Sequence, residues 1–127
     1  MVGINVQMLR VTGVNNGERC VKIDLTSKSD GFEWSLVAVY GAAQDEFKHV
    51  FLAELVRICE QGTKPLLIGG DFNILRWKEE KSNDNFNSHW PFLFNAIIES
   101  LELKEIVVWT PVYLGKSQEY THFRKAR

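Results

Sequence analysis

Residues 66–73 read LLIGGDFN, an apolar run that ends at two glycines and then offers a carboxylate and a carboxamide on either side of a phenylalanine. A carboxylate at Asp71 can orient or deprotonate a water molecule. The amide of Asn73 can donate to a phosphate oxygen as negative charge builds there. Ends of strands are where rigid scaffolds deliver such groups. Gly69 and Gly70 let the backbone bend sharply and let a ligand approach closely, and Phe72 is placed to anchor the turn in the core. The same residue types also have a plainer use, because an Asp or Asn after a strand commonly caps a turn through its own backbone. The residues by themselves leave both uses open.

The elements that must hold this segment are readable from periodicity. In residues 19–25 (RCVKIDL), Val21, Ile23 and Leu25 share one face of a half-buried strand. Residues 3–8 are a candidate partner strand, with residues 14–17 (VNNG) as the turn between them. Residues 27–31 form a polar turn, and residues 34–40 (WSLVAVY) read as a buried strand. Beyond Gly41 the period becomes helical through Phe47, Val50, Phe51, Leu55, Ile58 and Cys59, with Asp45 near the start and Gly62 past the end. Residues 65–69 form a short buried strand. A second helix is predicted from Pro91 to Leu101, with Phe92, Leu93, Ala96, Ile97 and Leu101 inward. Residues 106–109 and 120–123 are candidate strands. The order predicts a mixed α/β or α+β layer fold.

Composition sets the bounds. The chain has 127 residues, 45% hydrophobic and 24% charged, enough for one domain with a core and too short for two. A net charge of -1 argues against coating nucleic acid by bulk electrostatics, so any such contact needs a local basic patch. Cys20 and Cys59 lie far apart with no CxxC and no Cys/His cluster, which fits reduced thiols better than a disulfide framework or a zinc site. No apolar run has transmembrane length, and the first residues lack the pattern of a signal peptide. The expectation is an intracellular protein, the nucleus included, that is neither secreted nor in a membrane, with its oligomeric state undetermined.

The GGDFN segment, its apolar strand, and an upstream VAVY strand separated from it by a helix resemble the endonuclease/exonuclease/phosphatase (DNase I-like) superfamily. More narrowly, LVAVYGAAQDEF, LIGGDFNILR, EEKSNDNFN and WPFLFNAIIESLELKEI are similar to the endonuclease domain of plant LINE-type (non-LTR) retrotransposons. This resemblance covers residues 34–105, more than half of the chain. It implies a DNase I-like four-layer α/β sandwich, divalent metal (usually magnesium), DNA as partner, and phosphodiester cleavage by an activated water. It assigns Asp71 to the water, Asn73 to the phosphate, and Tyr40, closing the VAVY strand, to the scissile group. Gly41-Ala42 stands where relatives have Pro-Asn, so Tyr40 serves equally well as an amphipathic strand-end residue.

The family's N-terminal asparagine and metal-binding glutamate, and its C-terminal Ser-Asp-His segment, find no match here; Glu18 and Glu33 lack the glutamate's context. The resemblance therefore implies that residues 1–127 are a partial domain with an incomplete metal site. The expected function is a truncated magnesium-dependent DNA endonuclease descended from a LINE-type element and inactive as this chain. The alternative is an active nuclease or phosphatase completed by a partner or a longer reading frame, and a relative acting on small phosphates or lipids ranks third. Arg76, Trp77 and Lys78 directly follow the GDFN turn and could track a nucleic-acid backbone, with Trp77 stacking on a base; solvated surface charge is the plainer reading. His122, in YTHFRKAR, has no adjacent Asp and reads as an edge-strand or surface histidine. His49 and His89 have no ligand partner at useful spacing, and Trp34, Trp90 and Trp109 read as packing residues.

Overall fold

A computed structural model of the chain describes residues 3–74, 76, 89–106 and 121–125. Six strands form one mixed sheet: β1 (Leu9–Asn16), β2 (Cys20–Ser27), β3 (Glu33–Tyr40), β4 (Leu66–Asp71), β5 (Lys104–Ile106) and β6 (Thr121–Lys125), in the order β1-β2-β3-β4-β6-β5. Only β3 and β4 are parallel. A parallel pair needs a crossover, and α1 (Lys48–Glu60), entered through a 3-10 turn at Asp45–Phe47, supplies it. The second helix, α2 (His89–Ser100), lies between β4 and β5 in the chain. The predicted mixed α/β architecture is thus observed, and the described residues form a sheet layer and a helical layer of it. Among the described residues no helix is long and apolar enough to cross a membrane.

Both helices pack on one face of the sheet. Cross-strand register puts Cys20, Val39 and Gly70 in one row and Val37, Ile68 and Phe123 in the next. These side chains meet Phe51, Leu55, Ile58 and Cys59 of α1 and Phe94 and Ile98 of α2 in a single buried cluster. The buried stripe of α1 differs from the predicted one, since Phe47 and Val50 are exposed while Leu52 and Glu54 are buried. On α2 the inward set is Trp90, Phe94, Ile98 and then Leu101, at three- and four-residue steps, and the predicted Phe92 is 77% exposed. A run as apolar as PFLFNAII allows more than one helical stripe, and the packing against β6 selects which of them faces in.

The first hairpin also differs from expectation. Residues 14–16 are the end of β1 rather than a turn, the chain reverses at residues 17–19, and residues 6–8 form a turn instead of a strand. The reason lies in α1. The Glu54 carboxylate, almost fully buried, accepts the backbone N–H groups of Cys20 at 3.0 Å and Arg19 at 3.2 Å, so the helix holds the reversal in place. Replacing it strands two shielded donors. Glu54→Ala is expected to lower stability by about 2–4 kcal/mol in urea denaturation, and Glu54→Gln, which keeps an acceptor, by about 1 kcal/mol. A Glu54→Ala protein as stable as the parent would show that the loop needs no such anchor.

Cys20 and Cys59 are not joined in a disulfide, and both are fully buried. Burial, with the Glu54 carboxylate and Cys59 adding to it, pushes the Cys20 thiol from its ordinary 9.0 up to about 12. The folded form therefore keeps its proton where the unfolded form loses it, so this group's contribution is complete below pH 9.0 and is lost as pH rises toward about 12. The native chain is expected to leave Cys20 unmodified by a thiol reagent at pH 8, with modification appearing only as urea unfolds it. Rapid native labelling of Cys20 would contradict the burial.

Candidate active site at the ends of the parallel strands

Parallel strands deliver both of their C-terminal ends to the same edge of the sheet, and β3 and β4 end on the candidate residues. Tyr40 stands directly beside Asp71 in the register. Tyr40 is 69% exposed and Asp71 half-buried, at the boundary between the core and solvent. Both lie on the sheet face opposite the helices, because Tyr40 is an even number of residues from Leu36 and Ala38 while Val37 and Val39 point into the core. Phe72, next in the chain, turns the other way. It is 4% exposed and packs between Phe51, Phe94 and Phe123, with ring centroids 6.4, 5.2 and 5.4 Å away. The expected anchoring of the turn by Phe72 is what the structure shows.

Hydrogen bonds lace the two strand ends together. The Gly41 N–H donates to the Asp71 carbonyl at 2.6 Å, extending the parallel ladder by one step. The Asn73 side-chain amide donates to the Gly41 carbonyl at 2.8 Å. The Asn73 backbone N–H donates to Asp71 Oδ1 at 3.0 Å, closing an Asx turn. Asn73 itself has φ 55, a left-handed conformation that Asn tolerates better than most residues. The plainer turn-capping use of this segment is therefore realised. It also fixes the side chains of Asp71 and Asn73 beside Tyr40. One Asp71 oxygen takes the turn bond, and a carboxylate has further acceptor capacity on the other.

Both glycines are required by the fold itself, and Gly70 makes the expected sharp bend. Gly70 has φ 136, and a Cβ there would overlap the Val39 carbonyl oxygen of the neighbouring strand. At Gly69 the neighbour is a side chain: a Cβ would stand 2.5 Å from His122 Nδ1. His122 is therefore not an edge-strand histidine. Its strand β6 lies between β4 and β5, and its half-buried ring lies over β4. Sequence reasoning passed over it because only the antiparallel pairing of Gly69 with His122 brings the two together. The glycine pair was the one available signal.

Arg76 also has a different role from the predicted contact to a nucleic-acid backbone. Its Nε donates to Asn95 Oδ1 at 2.7 Å, its Nη1 pairs with Glu105, and its guanidinium lies 5.7 Å from the Phe123 ring centre. Asn95 in turn donates to the Arg76 carbonyl at 3.0 Å. These bonds tie the segment after GDFN to α2, β5 and β6, and the side chain is only 14% exposed. Trp77 and Lys78 lie outside the described residues, as does Trp109.

On the other side of the strand ends, Lys48 donates to the Ala43 carbonyl and to Asp45 Oδ1, both at 3.0 Å, and braces the connection from β3 to α1. The hydrogen bond from Lys48 holds the Asp45 carboxyl below the usual carboxylate range. His49 and His89 meet across the helices, 5.9 Å apart, and both rings pack edgewise on Trp90. Trp90 is thus a packing residue, as predicted.

A metal has a limited place here. Among the described residues no three His, Cys, Asp or Glu side chains come together, and this strand end contributes the carboxylate of Asp71. Magnesium keeps several waters and is commonly held by one or two carboxylates plus substrate phosphates. Asp71 fits the protein's share of such a site.

Among the described residues the mixed sheet, with helices on one face and β3 and β4 as its parallel pair, is an α/β fold resembling DNase I-like structures. The catalytic domain of human Nocturnin with bound sulfate matches with a TM-score of 0.59 at 12% identity, over 94% of this chain and 49% of that one. A mannosyl-6-phosphatase from Bacteroides thetaiotaomicron matches with 0.57 at 10% identity, over 94% and 54%. An endonuclease/exonuclease/phosphatase family protein from the same organism matches with 0.58 at 13% identity, over 94% and 51%. The chain spans about half the length of these structures. No protein-family model matches the chain, and no curated protein matches it.

Proposed function

We propose that the end of the β3–β4 pair is a phosphodiester-hydrolysing site that uses magnesium and acts on DNA. The observation that carries this reading is the registered pair of Tyr40 and Asp71, with Asn73 tied to the same strand end through Gly41. Asp71 positions and deprotonates the attacking water, the second amide N–H of Asn73 steadies a phosphate oxygen, and the Tyr40 hydroxyl donates to the scissile group. Magnesium, when bound with Asp71 among its ligands, supplies charge stabilisation at the phosphoryl oxygen. The fold shared with a sulfate-bound catalytic domain and a sugar phosphatase supports an anionic, phosphate-like substrate. The sequence resemblance to LINE-type endonucleases supports descent from such an element and DNA over smaller phosphates.

A second reading is an inert descendant of the same site. It draws on the Asx turn, since the hydrogen bonds of Asp71 and Asn73 are also what a purely structural turn makes, and on the lack of any group of three His, Cys, Asp or Glu side chains among the described residues. Plasmid nicking by the purified chain in magnesium, beside EDTA and Asp71→Asn controls, separates the two. Nicking that needs both the metal and Asp71 supports the hydrolytic reading. A folded chain that leaves plasmid, a phosphodiester ester and a sugar phosphate all uncleaved overturns it in favour of the inert one.

A further inference from the structure

Among the described residues His122 is a further chemistry-bearing side chain that the topology brings to this part of the sheet, and its local geometry is specific. In the β4–β6 register His122 faces Gly69, and Gly69 in turn stands beside Ala38 of β3. Residues two apart on a strand share a face. Asp71 and Tyr40 follow Gly69 and Ala38 by that interval, so His122 lies on the face that carries them, one step below and one strand over. Its ring occupies the space that any side chain at position 69 would fill, with Nδ1 2.5 Å from where that Cβ would be. It is half-buried, and among the described residues none hydrogen-bonds or ion-pairs with it. A diagonal cross-strand pair has Cα atoms roughly 7–8 Å apart, so His122 stands close to the strand end from which the Asn73 amide can donate to an anion.

We infer that His122 belongs to the phosphate-binding site, donating a ring N–H to a phosphate oxygen held at the Asp71–Asn73 turn. The inference rests on the proposed function and adds the strand β6 to the substrate's surroundings. It also accounts for the first glycine of the GGDFN segment: Gly70 is required by the strand end itself, and Gly69 by the imidazole that lies against it. A ring present merely to fill the space over Gly69 could be replaced by phenylalanine without consequence for an anion.

The test is nuclear magnetic resonance of the full chain with inorganic phosphate added at constant pH and magnesium concentration. The three histidine ring signals are assigned by His49→Gln, His89→Gln and His122→Gln. The expected result is that the His122 ring signal and the Asn73 amide signal move together and saturate at the same phosphate concentration, while His49 and His89 stay still. His122→Phe is expected to weaken phosphate binding about tenfold, and His122→Gln, which keeps an N–H donor, about threefold. If Asn73 responds while His122 does not, or if a folded His122→Phe chain binds phosphate as the parent does, the inference is overturned and the phosphate site at the strand ends stands. If neither signal responds, the proposed function fails and this inference with it. The wild-type shifts decide the matter even where a variant does not fold.

Discussion

Gly70→Ala is expected to cost about 3 kcal/mol or more, a large share of the stability of a domain this size. At φ 136 an L side chain is strained, and here its Cβ would also overlap the Val39 carbonyl oxygen. Backbone strain of this kind costs roughly 1–3 kcal/mol, and forcing atoms into a packed site adds about 1–3 kcal/mol. Native domains are stable by only about 5–15 kcal/mol. The obstacle is backbone on a central strand, so it cannot swing aside as a flexible side chain would. Gly31→Ala is the matched control, since Gly31 also has a positive φ, 73, but nothing within 4 Å of its Cβ position. It should cost about 1 kcal/mol. Urea denaturation followed by circular dichroism compares the two. Equal losses would mean that the close approach of β3 to Gly70 is not what the position demands.

Asp71→Asn is expected to lower magnesium-dependent cleavage by a factor of about 10²–10³, the usual worth of a positioned base. Its effect on stability should stay within about 1 kcal/mol, because an asparagine oxygen still accepts the Asn73 N–H across the turn. That separation makes the variant informative. Rate falls while the turn persists if Asp71 acts on water, and neither changes if it only caps the turn. Asn73→Ala is a poorer probe: it removes the hydrogen bond to Gly41 and places alanine at φ 55, so a loss of rate would be mixed with a loss of structure. Parallel denaturation curves of both variants, set against nicking rates under the same conditions, provide the comparison.

The candidate site was legible in sequence to an uneven degree. The placement of Asp71, Phe72 and Asn73 is readable because it depends on local chain geometry: an apolar strand ends, an aromatic goes in, and polar neighbours stay at the boundary. Tyr40 could be placed only at the end of its own strand. Its position beside Asp71 comes from the parallel register, which α1 enforces by returning the chain to the neighbouring position in the sheet. For Arg76 the sequence offers contact to a nucleic-acid backbone or solvated surface charge, because charge following a turn usually meets solvent, whereas three partners far along the chain enclose it.

By itself the sequence determined the layer class, the existence and type of the long elements other than β1, and the turn chemistry at residues 70–73. These follow from periodicity, glycine placement and neighbouring side chains, all of which act over a few residues. Only the tertiary structure decided the inward stripe of each helix, the anchoring of the first hairpin by Glu54, and the meeting of His122 with Gly69. Those depend on which strands pair and in what register, and a register is selected by packing over the whole sheet. The pieces of this site are therefore written locally, while its assembly belongs to the sheet.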